Sequence, residues 1–286
     1  MELPVVVGAD GSEASLRAVD WAADAAALRG LPLRVVYASL WERYEGAALA
    51  ADLGGDSDAV PAADVLSGAV RRAEQRQPEV KVTGDVVPEE AEYVLVREGR
   101  NATVVVVGTS GRGAMAEALL GSVSVTVAGH ADCPVVVVRG DRTRRAAPGR
   151  VVVGVGDGPG EAAVVRFAAE EAYRRGVPLE AVRAWRHPAH DGERHPLFTG
   201  GPARPHEEHA VELLEAALAD LPADLPVRRR TAEGHARAVL TQASHDAALL
   251  VVGSRRRLGS HGLQLGRVTH GVLLHAPCPV AVVPHP

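Results

Sequence analysis

Short apolar runs alternate along this chain with longer amphipathic stretches. Residues 5–9, 33–38, 102–107 and 135–138 are almost continuously apolar, the pattern of strands covered on both faces in a parallel sheet. Residues 80–87 complete a set of five predicted strands. Between the first two strands, Ser12 is placed to cap a helix whose apolar face carries Leu16, Val19, Ala23 and Leu28. Helical patterns recur over 62–77 and 89–99, whereas 46–61, rich in Ala, Gly and Asp, reads as a loop. Strand and helix in alternation predict a doubly wound, Rossmann-like α/β domain with a five-stranded parallel sheet.

The pattern then repeats. Val5-Val-Val-Gly8 returns as Val151-Val-Val-Gly154, and Arg29-Gly-Leu-Pro-Leu33 as Arg175-Gly-Val-Pro-Leu179. Val105-Val-Val-Gly108 returns as Leu250-Val-Val-Gly253, and His130-Ala-Asp-Cys133-Pro as His275-Ala-Pro-Cys278-Pro. Anchors in one order at near-constant spacing mark two copies of one domain. They divide the chain into a first domain over 1–140, a linker over 141–149 and a second domain over 150–286. Strands of the second are expected at 151–155, 179–184, 226–231, 248–252 and 280–283. A linker this short holds the copies close, as a packed pseudo-symmetric pair.

Candidate chemistry centres on residues 108–124, GTSGRGAMAEALLGSVS. A valine strand empties into a glycine-rich turn that opens a helix, with apolar positions at Met115, Ala118, Leu119, Val123 and Val127. Backbone N–H groups converging at such a turn suit an anion, above all a phosphate. Gly108, Gly111 and Gly113 let a ligand approach the main chain.

Composition narrows the classes. The net charge of -5 and pI near 6.2 exert no global pull on nucleic acid or an anionic membrane. Neither a membrane span nor a basic leader is visible. Two cysteines, Cys133 and Cys278, are too few for a disulfide framework, so the expected compartment is the reducing cytoplasm. His187, His190, His195, His206 and His209 lack metal-ligand spacing. The basic run over 142–145 has no interleaved aromatics to make a nucleic-acid platform.

The sequence Gly108-Thr-Ser-Gly111, nine residues, then Gly121-Ser122, resembles the universal stress protein family, whose ATP-binding members carry Gly-x-x-Gly-x9-Gly-(Ser/Thr). The segment from Val5 to Ser12 and Ala131-Asp-Cys-Pro-Val135 look like the same family, and the repeat makes the chain similar to its tandem, actinobacterial type. The resemblance implies ATP, with Mg²⁺ through its phosphates. It implies adenosine contacts from Asp10 and from strand-end backbone at Val36 to Ala38. Phosphate contacts are implied at Gly108, Gly111, Gly121, Ser122, Val123 and Ser124, beside Arg112 and Gly113 in the turn. Asp10 can equally serve as a turn residue ahead of Ser12, and the glycines can serve packing alone. The family further implies that the last strands of the two domains, 135–138 and 280–283, meet; two whole chains can associate as a homodimer.

The second copy departs from the pattern. Gly156 stands where Asp10 does, Arg256 replaces the second glycine, and Arg267 follows Gly266. The second site is expected to be degenerate, with altered anion binding through Arg255 to Arg257 as the alternative. No Gly-x4-Gly-Lys-(Ser/Thr) loop is present, and Arg112 is the only evident cation in the turn. The expected function is therefore an ATP-binding stress-response protein that holds nucleotide as a switch or sensor and is not an enzyme. The alternatives are a nucleotide-independent scaffold and a slow ATP hydrolase or adenylyl-transferring enzyme.

Overall fold

In the computed structural model, residues 2–38, 61–109, 120–139, 149–158, 160–186, 204–255 and 265–285 are described. The first repeat runs β1 (Val5–Gly8), α1 (Glu13–Arg29), β2 (Leu33–Ala38), α2 (Ala62–Arg76), β3 (Val82–Val87), α3 (Ala91–Glu98), β4 (Val104–Gly108), α4 (Ser122–His130) and β5 (Val135–Val138). The second runs β6 (Arg150–Gly154), α5 (Glu161–Arg175), β7 (Leu179–Trp185), α6 (Arg204–Leu218), β8 (Val227–Glu233), α7 (Ala236–Ala243), β9 (Ala247–Arg255), α8 (Arg267–His275) and β10 (Val280–His285). The expected loop over 46–61, apart from Pro61, and the apolar positions Met115, Ala118 and Leu119 lie outside the described residues.

Local signals set the longest helices. Ser12 takes an extended conformation and its Oγ accepts the Ser15 N–H at 3.2 Å, which starts α1. Gly30 and Gly176 end α1 and α5 in the left-handed region, at φ 65° and 63°, where a side chain is disfavoured. On the surface, Arg72 grips Asp20 and Arg76 grips Asp24, each through two bonds of 2.7 and 2.8 Å, tying α2 to α1.

Each repeat contributes five parallel strands, in the order β3-β2-β1-β4-β5 and β8-β7-β6-β9-β10. β5 and β10 pair antiparallel, with Val135, Val136 and Val137 opposite Val282, Ala281 and Val280. One ten-stranded sheet results. Its two faces carry two apolar cores, one under α1, α2, α5 and α6, the other under α3, α4, α7 and α8. Joining β5 to β10 covers two edges that would otherwise present valine backbones to solvent. The outer strands are β3 and β8, and β8 is protected differently, by Arg228, Arg229 and Arg230.

Candidate functional site

The strand order places a topological switch between β1 and β4, since the chain leaves β1 in one direction and later returns on the other side. Crevices at the carboxyl ends of such strands are where open α/β sheets bind ligands. Asp10, Ala38, Gly108 and the start of α4 gather around this end of the first repeat.

Gly108 ends β4, and a Cβ there would meet the carbonyl carbon and oxygen of Ala14 at 2.7 Å. Only glycine lets the first turn of α1 lie so near the strand. The Gly108 carbonyl accepts the Ser124 hydroxyl at 2.6 Å, and the Thr109 carbonyl accepts the Gly121 N–H at 2.6 Å. Strand end and helix start are thereby clamped together. Among the described residues the helix after this strand is α4, from Ser122; residues 110–119 lie outside the described residues.

Gly121 caps α4 without a side chain, and the first intrahelical bond runs from Val125 N–H to the Gly121 carbonyl at 3.1 Å. The N–H groups of Ser122, Val123 and Ser124 therefore precede the helical ladder. Such groups, with the positive end of the helix dipole, favour an anion. The hydroxyls behave differently from the amides. Ser124 is buried and spends its hydroxyl proton on Gly108, while the Ser122 hydroxyl donates to Glu92 Oε1 on α3 at 2.9 Å.

Asp10 is half-buried just beyond β1. Its Oδ1 accepts both the Ser12 N–H at 3.0 Å and the Ser12 hydroxyl at 2.6 Å, so it braces the cap of α1. The turn role open in the sequence is present, and it orients the carboxylate. Val36 is buried, and its carbonyl accepts the Ala9 N–H at 2.9 Å. Ala38, half-buried at the last position of β2, is the more accessible of the two predicted backbone contacts. Gly111, Arg112 and Gly113 lie outside the described residues. Sequence reading missed Glu92 and the Thr109 carbonyl: Glu92 reaches the site from another helix, and a carbonyl carries no side-chain signature.

The second repeat keeps the backbone frame and fills it differently. Gly266 caps α8 without a side chain, and Thr269 Oγ1 donates to the Gly253 carbonyl at 2.9 Å, matching Ser124 and Gly108. The crevice itself holds charged side chains. Arg183, aligned with Tyr37, donates to the Val155 carbonyl at 3.1 Å and lies 3.5 Å from Asp157. The Glu161 carboxylate lies 2.5 Å from where a Cβ on Gly156 would stand. A side chain at the position matching Asp10 would have to displace the tip of a carboxylate arriving from α5. Arg256 and Arg257 lie outside the described residues.

Both cysteines are buried, and neither forms a disulfide. Burial pushes the Cys278 thiol up to about 12 from an ordinary 9.0. The folded state then holds this proton more tightly than the unfolded state, so its contribution to stability is complete below about pH 9 and is lost as pH rises towards 12. The urea midpoint of the wild type should fall more steeply above about pH 9 than that of Cys278→Ala. Parallel pH profiles for the two proteins would contradict this. Among the described residues, no three His, Cys, Asp or Glu side chains gather to hold a metal ion, and no helix is long and apolar enough to cross a membrane.

Comparison with known proteins agrees with this architecture. The model of the universal stress protein family matches residues 2–139 and again 148–284. A universal stress protein of Mycobacterium tuberculosis is 34% identical over 299 residues, covering 97% of this chain and 96% of the relative. One from Mycolicibacterium smegmatis is 31% identical over 295 residues, covering 99% and 97%. A solved universal stress protein from Archaeoglobus fulgidus shares the fold, with a TM-score of 0.71 at 17% identity and 99% coverage of each chain. With two matches of the family model and mycobacterial relatives aligned along nearly the whole length, the chain belongs to the universal stress protein family, as two tandem repeats.

Proposed function

We propose that the first repeat binds ATP at the carboxyl end of β1 and β4, and that the protein is a stress-response regulator in which nucleotide occupancy is the signal. The observation that carries this reading is the uncapped start of α4. Three backbone N–H groups, at Ser122, Val123 and Ser124, precede the first helical bond of α4, and Ser124 ties that helix start to the end of β4 at Gly108. These amides suit the phosphates, and Gly111 and Gly113 join them only through the motif in the sequence. Asp10, oriented by Ser12, suits the ribose hydroxyls or the adenine amine, and the backbone around Ala38 suits the base. Mg²⁺ would come with the phosphate oxygens, its preferred partners.

The parts favour holding ATP over turning it over, because phosphoryl transfer needs a positioned base and concentrated cationic charge. A turnover well below about 1 s⁻¹ is expected, far from typical enzymes. A faster steady-state ATPase or adenylylation rate would favour the enzyme reading. The continuous sheet supports an intramolecular pseudo-dimer of the two repeats, and the expected place of work remains the cytoplasm.

The direct test is to denature freshly purified protein and identify any released nucleotide. Gly111→Arg, which copies the second repeat, is expected to weaken ATP binding by at least about 100-fold, roughly the loss of one or two charge-assisted contacts. Wild-type affinity in calorimetry would refute the phosphate assignment. Nucleotide-free protein that takes up no ATP would instead favour a scaffold built on the ten-stranded sheet.

A further inference from the structure

The junction between repeats holds one fully buried carboxylate, Glu171 on α5, at 0% exposure. Arg29, the last residue of α1, and Arg175, the last of α5, both pair with it, and their side chains are only 3% and 13% exposed. The two arginines occupy the same place in the repeat, each heading an Arg-Gly-x-Pro-Leu segment. Each also donates to the carbonyl four residues before it, Arg29 to Ala25 at 3.1 Å and Arg175 to Glu171 at 3.4 Å. Arg175 lies over the Trp21 ring of α1, 5.3 Å from its centroid, so the cluster crosses the junction twice.

The carboxylate does not repeat. Counting back four residues from each arginine gives Glu171 in the second repeat and Ala25 in the first, and Ala25 is 1% exposed. Two first-repeat faces brought together in this geometry would bury two arginines with no carboxylate. Two second-repeat faces would crowd two carboxylates into the space that one fills here. Only the mixed pair has one buried acid shared between the two buried bases Arg29 and Arg175, with the more exposed Arg174 at 3.9 Å.

We propose that Glu171 is a pairing determinant, a single carboxylate that fits the α1 face of the first repeat to the α5 face of the second and selects that partner over a first repeat from another copy. A buried charge costs desolvation and contributes most through the geometry it permits. Here the permitted geometry is the heterotypic one, which the β5–β10 register also demands. The inference is independent of nucleotide binding.

Moving the charge across the pseudo-twofold axis tests it in the full chain. Glu171→Ala leaves two buried guanidinium groups without their acid and is expected to lower Tm by about 10 °C. Adding Ala25→Glu to that variant returns one carboxylate to the same cluster from the opposite helix and should recover at least about half of the loss. Ala25→Gln in the same background fills the space without charge and should recover little. The proposal is overturned if Glu171→Ala leaves Tm within about 1 °C of wild type, if Ala25→Glu gives no recovery, or if Ala25→Gln recovers as much. Where Glu171→Ala is insoluble, soluble protein from the Ala25→Glu double variant alone supports the proposal, and insolubility of both overturns it.

Discussion

Gly108→Ala is expected to cost about 1–3 kcal/mol of stability and to reduce ATP affinity at least about 100-fold. The added methyl would meet the Ala14 carbonyl carbon and oxygen at 2.7 Å and the Ser15 nitrogen at 3.0 Å. These are backbone atoms, which cannot swing aside as a side-chain tip can. Relief therefore requires the first turn of α1 to lift from β4. That turn carries the Asp10–Ser12 brace, while the Gly108 carbonyl holds Ser124 at the start of α4. One methyl thus displaces both halves of the proposed site. Gly68→Ala is the control: it lies in α2 with nothing within 4 Å of the new Cβ, and should be neutral or stabilising by up to about 1 kcal/mol. Calorimetry with ATP and urea unfolding of the two variants check both expectations. Wild-type affinity and midpoint in Gly108→Ala would show that α1 does not position the site.

Val136→Asp should be more damaging still, at about 4–5 kcal/mol. Val136 lies within the ten-stranded sheet, paired with Ala281 of β10 on one side and Val106 of β4 on the other, and both Val136 and Ala281 are 0% exposed. A carboxylate there loses its hydration inside an apolar core. The expected result is a collapsed urea midpoint or loss of soluble protein, whereas Val136→Ala should cost only about 1–3 kcal/mol. Equal midpoints for the two variants would mean that the junction relaxes to admit solvent. Repeat pairing would then be weaker than the register suggests.

Most of the fold was legible because the parallel strands are buried on both faces and read as valine runs. Boundaries moved by a few residues: β4 extends to Gly108, and β9 continues to Arg255. The candidate site was partly legible. Gly108, Asp10, Gly121 and the amides that follow meet at one strand edge, as the motif spacing implies. The hydroxyl of Ser124 donates to the Gly108 carbonyl and clamps α4 to β4, a contact that the motif does not record. A motif specifies which residues are near a site, and only packing decides which face of each is available. Glu171 was missed for a related reason. In Glu170-Glu-Ala-Tyr-Arg-Arg175 it reads as part of a solvated helical face, and only the approach of α1 buries it.

By itself the sequence determined the duplication, the alternation of strand and helix, and the inequality of the two glycine turns. Those properties are written in local periodicity and in the presence or absence of a Cβ at single positions. The pairing of β5 with β10, which the family resemblance implied, is present; tertiary structure alone decided its register, that Arg183 and Glu161 enter the second crevice, and that Glu171 is shared between repeats. Each of those depends on contacts between residues distant along the chain. Their partners are chosen by which faces the strand pairing brings together, and no single segment records that choice.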